Sequence, residues 1–159
     1  MKVLTITQPW ATLIAVGAKK IETRSWFTYY RGPLAIHAAK GFPDYAWMAC
    51  HQEPFYSVLA EKTNILRPEG LPRSEIIATC QLVDVVKISE TTFAPNCVYY
   101  SKGDRHFDFS ENERAFGDYS VGRYMWLLDD VKPLEPTVPA KGKLGLWEWD
   151  EKEISNELK

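Results

Sequence analysis

A run of charged residues that begins at Lys19 holds the densest set of side chains capable of chemistry in this sequence. Residues 20–24 (KIETR) alternate with period two, which is typical of a β-strand. Because successive side chains of a strand point to opposite sides, Lys20, Glu22 and Arg24 share one face. Lys19 lies where the strand begins, and its side chain can turn to the same face.

These residue types suit a ligand that carries an anion and a flat ring. Lys19 supplies a compact cation, and Arg24 supplies a planar fork for a carboxylate or phosphate. Glu22 between them is an acceptor or, in an enzyme, a general base. Trp10 and Trp26 flank the run in sequence and offer faces on which a base can stack. The set describes a nucleotide or nucleobase pocket without specifying a reaction, although similar charges also occur on the solvated side of an antiparallel sheet.

The elements that position these residues can be predicted from the flanking sequence. An apolar run at residues 3–6 indicates a first strand. A helix is expected over about residues 9–16, with Thr7 or Gln8 as its N-cap and a proline at its first position. Gly17 suits the left-handed residue that ends a helix, just before the charged strand.

The rest of the chain predicts more strands than helices. Further strands are expected near residues 34–38, 76–88, 123–129 and 144–149, and short helices at residues 43–50 and 55–62. Residues 89–122 lack a regular pattern, and we expect them to form a lid or wall over the site. Prolines at positions 133, 136 and 139 predict an extended connection before the last strand. This order favours an α+β, mainly β fold: a β-barrel with peripheral helices.

Composition limits the protein class. The 159 residues, 45% hydrophobic and 25% charged, are typical of a soluble globular protein, with one domain at residues 1–150 and a charged C-terminal tail at 151–159. No apolar run approaches the roughly 18 residues that span a bilayer, and residues 1–6 do not resemble a signal peptide. The three cysteines are widely spaced, so neither a disulfide framework nor a metal site is predicted. We expect a cytoplasmic monomer without a membrane segment, metal or cofactor.

Charge is unevenly distributed along the chain. The net charge of −2 argues against non-specific binding of long duplex DNA by a broad basic surface. Residues 1–40 nevertheless carry a balance of +5, whereas residues 41–159 carry −7. Such asymmetry can arise by chance, but a local basic cleft in an acidic protein suits one phosphate-bearing ligand or a short single strand.

The charged strand also carries a family resemblance. Residues 17–24 (GAKKIETR) match the G-x-K-x-x-E-x-R motif of the ASCH family, the activating signal cointegrator homology domains of the PUA-like superfold. Four other segments resemble the same family: residues 8–10 (QPW), 31–38 (RGPLAIHA), 113–120 (ERAFGDYS) and 122–124 (GRY). The similarity extends over roughly residues 3–149.

The resemblance implies a PUA-like barrel with a site in a cleft beside the first helix. It implies RNA, single-stranded nucleic acid, or a modified nucleoside or nucleotide as the ligand. Residue types and resemblance together predict these ligand-binding residues: Gln8, Trp10, Lys19, Glu22, Arg24, Trp26, His37, Lys40, Tyr119 and Arg123. A histidine in a strand, such as His37, is more often structural, but its imidazole can also donate to a carbonyl or phosphate.

Two activities known in the family leave alternatives open. Some small bacterial members resemble amidohydrolases that deacetylate 4-acetylcytidine, with a Lys and a Thr three residues apart and a Glu elsewhere. Lys19 matches that Lys, but Glu22 occupies the Thr position, and Thr23 points to the opposite face of the strand. Other members are reported as ribonucleases, for which no histidine pair or carboxylate cluster is recognisable here. We expect a binding module first, a small hydrolase using Lys19 and Glu22 as the alternative, and a protein-interaction domain third.

Overall fold

The computed structural model describes residues 1–91, 97–100 and 106–150. The strands in these ranges are β1 (Lys2–Ile6), β2 (Ile21–Arg24), β3 (Gly32–Ala38), β4 (Glu75–Thr91), β5 (Cys97–Tyr100), β6 (His106–Asp108), β7 (Tyr124–Pro139) and β8 (Leu146–Glu148). The helices are α1 (Trp10–Ala15), α2 (Asp44–Ala49), α3 (Phe55–Lys62) and α4 (Glu111–Ala115), with a 3-10 turn at Pro68–Gly70. None of these helices is long and apolar enough to cross a membrane.

Six strands form one mixed sheet in the order β2-β7-β4-β3-β1-β8. β1 and β3 are parallel, and the other neighbours in the sheet are antiparallel. β5 pairs with the far end of β4, and β6 pairs with β5. The mainly β class is therefore confirmed. The predicted closed barrel is not confirmed, because the short edge strands β2 and β8 do not pair with each other in the described chain and the sheet stays open.

The predicted strands and helices are present, and the largest difference lies in β7. This strand was expected to end near residue 129, but it continues through three prolines to Pro139. Among the described residues, β2 pairs only with residues 124–127, so the second half of β7 has a free edge. A proline, which has no N–H to donate, is tolerated at such an edge. The predicted tail at residues 151–159 lies outside the described residues.

Two apolar clusters lie on opposite faces of the sheet. Leu4 belongs to the larger cluster, together with Ile14 of α1 and Trp126. Val3, the preceding residue of β1, belongs to a second cluster that contains Trp147. Successive residues of β1 therefore serve different faces, as the two-residue period of a strand requires. The same alternation places a different cleft on each side of the end of β1.

Candidate functional site

Strand β2 and helix α1 border an open cleft of about 500 Å³, which we call the first cleft. Its lining residues are Ile6, Thr7, Trp10, Glu22, Thr23, Arg24, Tyr45, Ala115, Phe116, Gly117, Asp118 and Arg123. Four residues predicted to bind ligand therefore meet here: Trp10, Glu22, Arg24 and Arg123. Residues 115–118 belong to the stretch predicted to form a wall over the site, and they do line it.

Glu22 has the most unusual environment in this cleft. Its side chain is only 7% exposed, although it lines an open space. Its Oε2 atom is buried and has no hydrogen-bond partner within the described residues. A buried carboxylate oxygen without a donor is costly, and native structures rarely leave one unsatisfied. A donor from a ligand in the cleft would remove this cost.

Lys19 lies close to Glu22 but is buried and does not line the cleft. Its backbone N–H donates to Leu13 O at 2.9 Å, where α1 ends. Its Nζ has no hydrogen-bond partner in the described part of the chain. Burial lowers the pKa of Lys19, and the negative charges of Glu22 and Glu113 act in the opposite direction. A buried amine of this kind loses its proton more easily than an exposed lysine.

Glu113 organises the start of β2 and was not among the predicted site residues. Its Oε2 accepts from the backbone N–H of Lys20 at 2.9 Å, and its Oε1 accepts from that of Ile21 at 3.1 Å. Ser110 Oγ accepts from Glu113 N at 3.1 Å and caps α4. The S-x-x-E spacing of Ser110 and Glu113 is a helix-start signal that could have located α4, but it does not indicate the contact with β2.

Arg24 and Trp26 form a pair at the side of the cleft. The Arg24 guanidinium lies over the Trp26 ring, 5.8 Å from its centroid. Arg24 has no ion-pair partner within the ranges described, so its charge is available to a ligand. Trp26 packs edge-on against Trp126 at 4.7 Å and does not line the cleft itself. Trp26 therefore supports Arg24.

Arg123 and Asp118 close the other side of the first cleft. Arg123 Nε lies 3.4 Å from Asp118 Oδ2, and its Nη2 donates to Thr23 O at 3.1 Å. Hydrogen bonding from Ser120, together with the charge of Arg123, holds the pKa of Asp118 below its usual value. The Thr23 hydroxyl accepts from Asp118 N at 3.1 Å, so it is engaged in this contact. The cleft lining carries two arginines and two carboxylates, and its charge is balanced where a basic cleft was predicted.

Gln8 and Tyr119, which were predicted to bind ligand, lie in the interior and line neither cleft. Gln8 is fully buried; its Oε1 accepts from Thr12 N at 3.0 Å and its Nε2 donates to Pro72 O at 2.8 Å. Gln8 therefore provides an acceptor for a backbone N–H in the first turn of α1 and links the loop at Pro72 to the start of this helix. The buried Tyr119 hydroxyl donates to Glu113 O at 3.5 Å, and burial raises the pKa of Tyr119.

His37 and Lys40 lie in a different place, at the ends of β1 and β3. This second cleft has a volume of about 790 Å³ and is lined by Thr5, His37, Lys40, Ser74, Pro139, Ala140, Lys141, Gly142, Lys143 and Leu144. His37 is 1% exposed, and its Nε2 lies 2.9 Å from Ala140 O. Burial lowers the pKa of His37, although the bond to Ala140 acts in the opposite direction. The structure thus divides the predicted set between two clefts and the core.

Neither cleft is lined by a cysteine among the described residues. Cys50 and Cys80 are buried and unpaired, and burial raises their pKa to about 11 and about 12. These thiols are protonated at neutral pH and are poor nucleophiles. The described residues contain no group of three His, Cys, Asp or Glu side chains arranged to hold a metal ion.

Comparison with known proteins identifies one domain family that this chain matches. The family model of the ASCH domain matches residues 4–121. Activating signal cointegrator 1 from Homo sapiens is 24% identical over 149 residues, which cover 94% of this chain and 22% of that protein. The protein of the same name from Mus musculus gives the same values, so the chain spans less than a quarter of the length of these relatives. Because the family model matches well over half of the sequence, the chain belongs to the ASCH domain family.

Proposed function

We propose that this protein binds RNA, or a modified nucleoside or nucleotide, with the base in the first cleft. The observation that carries the proposal is that Glu22 lines an open cleft while its buried Oε2 atom has no donor within the described chain. ASCH domains are widely regarded as RNA-binding modules, and membership of the family supports the same ligand class.

Each wall of the first cleft matches one part of a nucleotide. Glu22 can accept from an N–H at a base edge, as carboxylates accept from the exocyclic amine of cytosine. Trp10 is half-buried, packs against Phe55 at 5.8 Å, and offers ring surface to the cleft for stacking. Arg24 supplies an unpaired cation for a phosphate. The volume of about 500 Å³ is in the range of small-ligand sites.

A binding titration tests this proposal. Nucleosides, mononucleotides and short single-stranded RNAs are titrated into the wild type, and heats of binding are recorded. Glu22→Gln keeps the shape and one acceptor oxygen, so we expect a modest loss of affinity, within about tenfold. Glu61→Gln, at an exposed glutamate outside both clefts, is the matched control and should bind as the wild type does. Absence of binding across the whole panel would refute the proposal.

The environment of Lys19 favours a hydrolase as the second candidate. A buried amine with a lowered pKa lies near Glu22, and Glu22 lines a cleft open to substrate and water. In this alternative Glu22 takes a proton from the water that attacks the acetyl carbonyl of 4-acetylcytidine and passes it to the departing N4 nitrogen, so that acetate and cytidine are released. Lys19 does not line the cleft, so its charge would act on the neighbouring Glu22 and not on the substrate directly.

Product analysis separates the two candidates. For a binding protein, incubation with 4-acetylcytidine yields no cytidine from the wild type or from Glu22→Gln. For a hydrolase, the wild type releases cytidine, and Glu22→Gln binds the substrate nearly as well but releases none, because the amide cannot take the proton. We expect the first outcome.

A further inference from the structure

We propose that the second cleft is a binding site for a phosphate group. Its lining includes three exposed lysines, Lys40, Lys141 and Lys143, and no aspartate or glutamate. None of the three forms an ion pair with a residue that the structure describes. The cleft therefore concentrates positive charge in a protein whose net charge is −2. Such a concavity attracts anions in preference to neutral ligands.

The backbone that carries two of these lysines is fixed against β1 and β3. A Cβ atom at Gly142 would lie 2.6 Å from His37 Cε1, so the loop at residue 142 packs directly on the imidazole edge. On one side of Gly142, Thr5 Oγ1 donates to Lys143 O at 3.2 Å. On the other side, His37 Nε2 donates to Ala140 O. The lysine side chains thus extend from a preorganised frame, and Lys143 Nζ lies over the Trp147 ring, 5.5 Å from its centroid, which reduces the ordering cost of binding.

The buried imidazole of His37 in the same wall is a second feature on which the charge of an anion would act. Because a carbonyl oxygen can only accept, the bond to Ala140 places the His37 proton on Nε2. His37 Nδ1 is then a bare acceptor, and it has no partner among the described residues. It faces Gly142, between Lys141 and Lys143 in the loop. Because Gly142 covers Nδ1, an anion held by the lysines acts on the ring through its charge and favours the protonated form.

The location of the second cleft relates it to the first. Thr5 lines the second cleft, whereas Ile6 and Thr7 line the first, so both open at the same end of β1. A nucleic-acid strand with a base in the first cleft would carry phosphates past this edge, and a free phosphomonoester would need only the second cleft. The phosphate site stands whether or not the first cleft binds a base.

Nuclear magnetic resonance of the whole chain tests the site directly. Inorganic phosphate is titrated into labelled protein at constant ionic strength, with sodium chloride as the compensating salt. We expect saturable shifts of the Gly142 amide and the His37 ring signals, and unchanged signals for exposed His51. Absence of saturable shifts at Gly142 and His37 would overturn the proposal.

A charge-matched pair of variants tests the lysines. The triple variant Lys40→Gln, Lys141→Gln, Lys143→Gln should weaken phosphate binding by about tenfold or more. The control removes three exposed lysines outside both clefts, Lys62→Gln, Lys87→Gln, Lys132→Gln, and should change the affinity by less than about twofold. Equal losses in both variants would mean that only overall charge matters and would refute the site.

Two further titrations identify the source of the phosphate and keep this proposal separate from the first. A short single-stranded RNA that shifts Gly142 at far lower concentration than inorganic phosphate does would indicate a strand phosphate. A mononucleotide that binds as tightly as the RNA would indicate a free phosphomonoester. Trp10→Ala should leave the affinity for inorganic phosphate unchanged. Loss of base binding in the first cleft can therefore be distinguished from loss of phosphate binding in the second cleft. If phosphate binding is lost in Trp10→Ala, the second cleft is not an independent site.

Discussion

The Glu113 side chain accepts a hydrogen bond from the backbone N–H of Ile21, which lies 92 residues earlier in the chain. Its second carboxylate oxygen accepts from the N–H of Lys20. A side chain from α4 thus binds the first backbone groups of β2, the strand that presents Glu22 to the first cleft. The geometry of the candidate site depends on a residue that does not line it.

Replacing Glu113 with alanine should destabilise the fold by about 2–4 kcal/mol, because two backbone donors lose their acceptor. Glu113→Gln keeps one acceptor oxygen and should cost less. The measurement is the free energy of unfolding from urea titrations. Glu111→Ala, at an exposed position of the same helix, is the control and should cost at most about 1 kcal/mol. Equal costs for the two alanine variants would show that the contacts with β2 contribute nothing.

Trp10→Ala should weaken the binding of a nucleotide or short RNA by about 1–3 kcal/mol if a base stacks on the ring. Isothermal titration well below the melting temperature gives the value, since Trp10 also packs against Phe55. Trp47→Ala is a matched control, because Trp47 is 42% exposed and lines neither cleft. A similar loss in both variants would remove the argument for stacking on Trp10.

The affinity for single-stranded RNA should fall as salt rises, with a shallow slope. If a strand contacts Arg24 and the second-cleft lysines, about two to four phosphates are neutralised, and each contributes about −0.7 to the slope for a single strand. Binding isotherms at several sodium chloride concentrations provide the slope. The triple lysine variant of the second cleft should reduce its magnitude, and binding that does not respond to salt would contradict phosphate contacts altogether.

Stability should fall as the pH drops below the ordinary histidine pKa of about 6.5, because burial lowers the pKa of His37 in the folded state. The unfolded chain then binds more protons than the folded chain, so the contribution of His37 is complete above about pH 6.5 and declines as the pH approaches the folded-state value. Urea midpoints at about pH 7.5 and about pH 5 measure the effect. His37→Gln should remove this component, whereas His51→Gln, at an exposed histidine, should retain it.

Gly142→Ala should destabilise the protein by about 1–3 kcal/mol, because the new Cβ would lie 2.6 Å from His37 Cε1 and 2.9 Å from its Nδ1. Gly41→Ala places a methyl group in open space and should change stability by no more than about 0.5 kcal/mol. Thermal melting of the two variants provides the comparison. A tolerated alanine at position 142 would mean that the loop is not held against His37.

The structural features that depend on residues close together in the sequence could be predicted from local sequence patterns. The period-two alternation around Glu22 located β2, and Gly17, at φ +75°, ends the helix where it was expected. Trp10, Glu22 and Arg24 converge on the first cleft because α1 and β2 are close in sequence and connected by a tight turn. Arg123 was predicted through the family resemblance and also lines this cleft.

Contacts between distant segments could not be predicted in the same way. Residue types and the family resemblance include His37 and Lys40 in the predicted site, but the parallel pairing of β1 with β3 directs them to the second cleft. Lys141 and Lys143 follow a proline-rich stretch, and no local sequence pattern marks them as ligand-binding residues. The pairing of the strands in the sheet places them beside His37. Whether the sheet closes into a barrel also depends on which edge strands pair with each other. The hydrophobic periodicity of a single strand does not specify its partner.

The pairing of β2 has a consequence for how the protein is made. Among the described residues this strand pairs only with β7, which begins at Tyr124, so Glu22 leaves the ribosome long before its neighbouring strand exists. A nascent chain that stops before β7 contains the whole G-x-K-x-x-E-x-R motif but lacks the strand that holds β2 in the sheet. Contacts between such distant segments form late and together. We therefore expect ligand binding to appear abruptly in a series of stalled chains, once β7 has emerged, instead of growing with length.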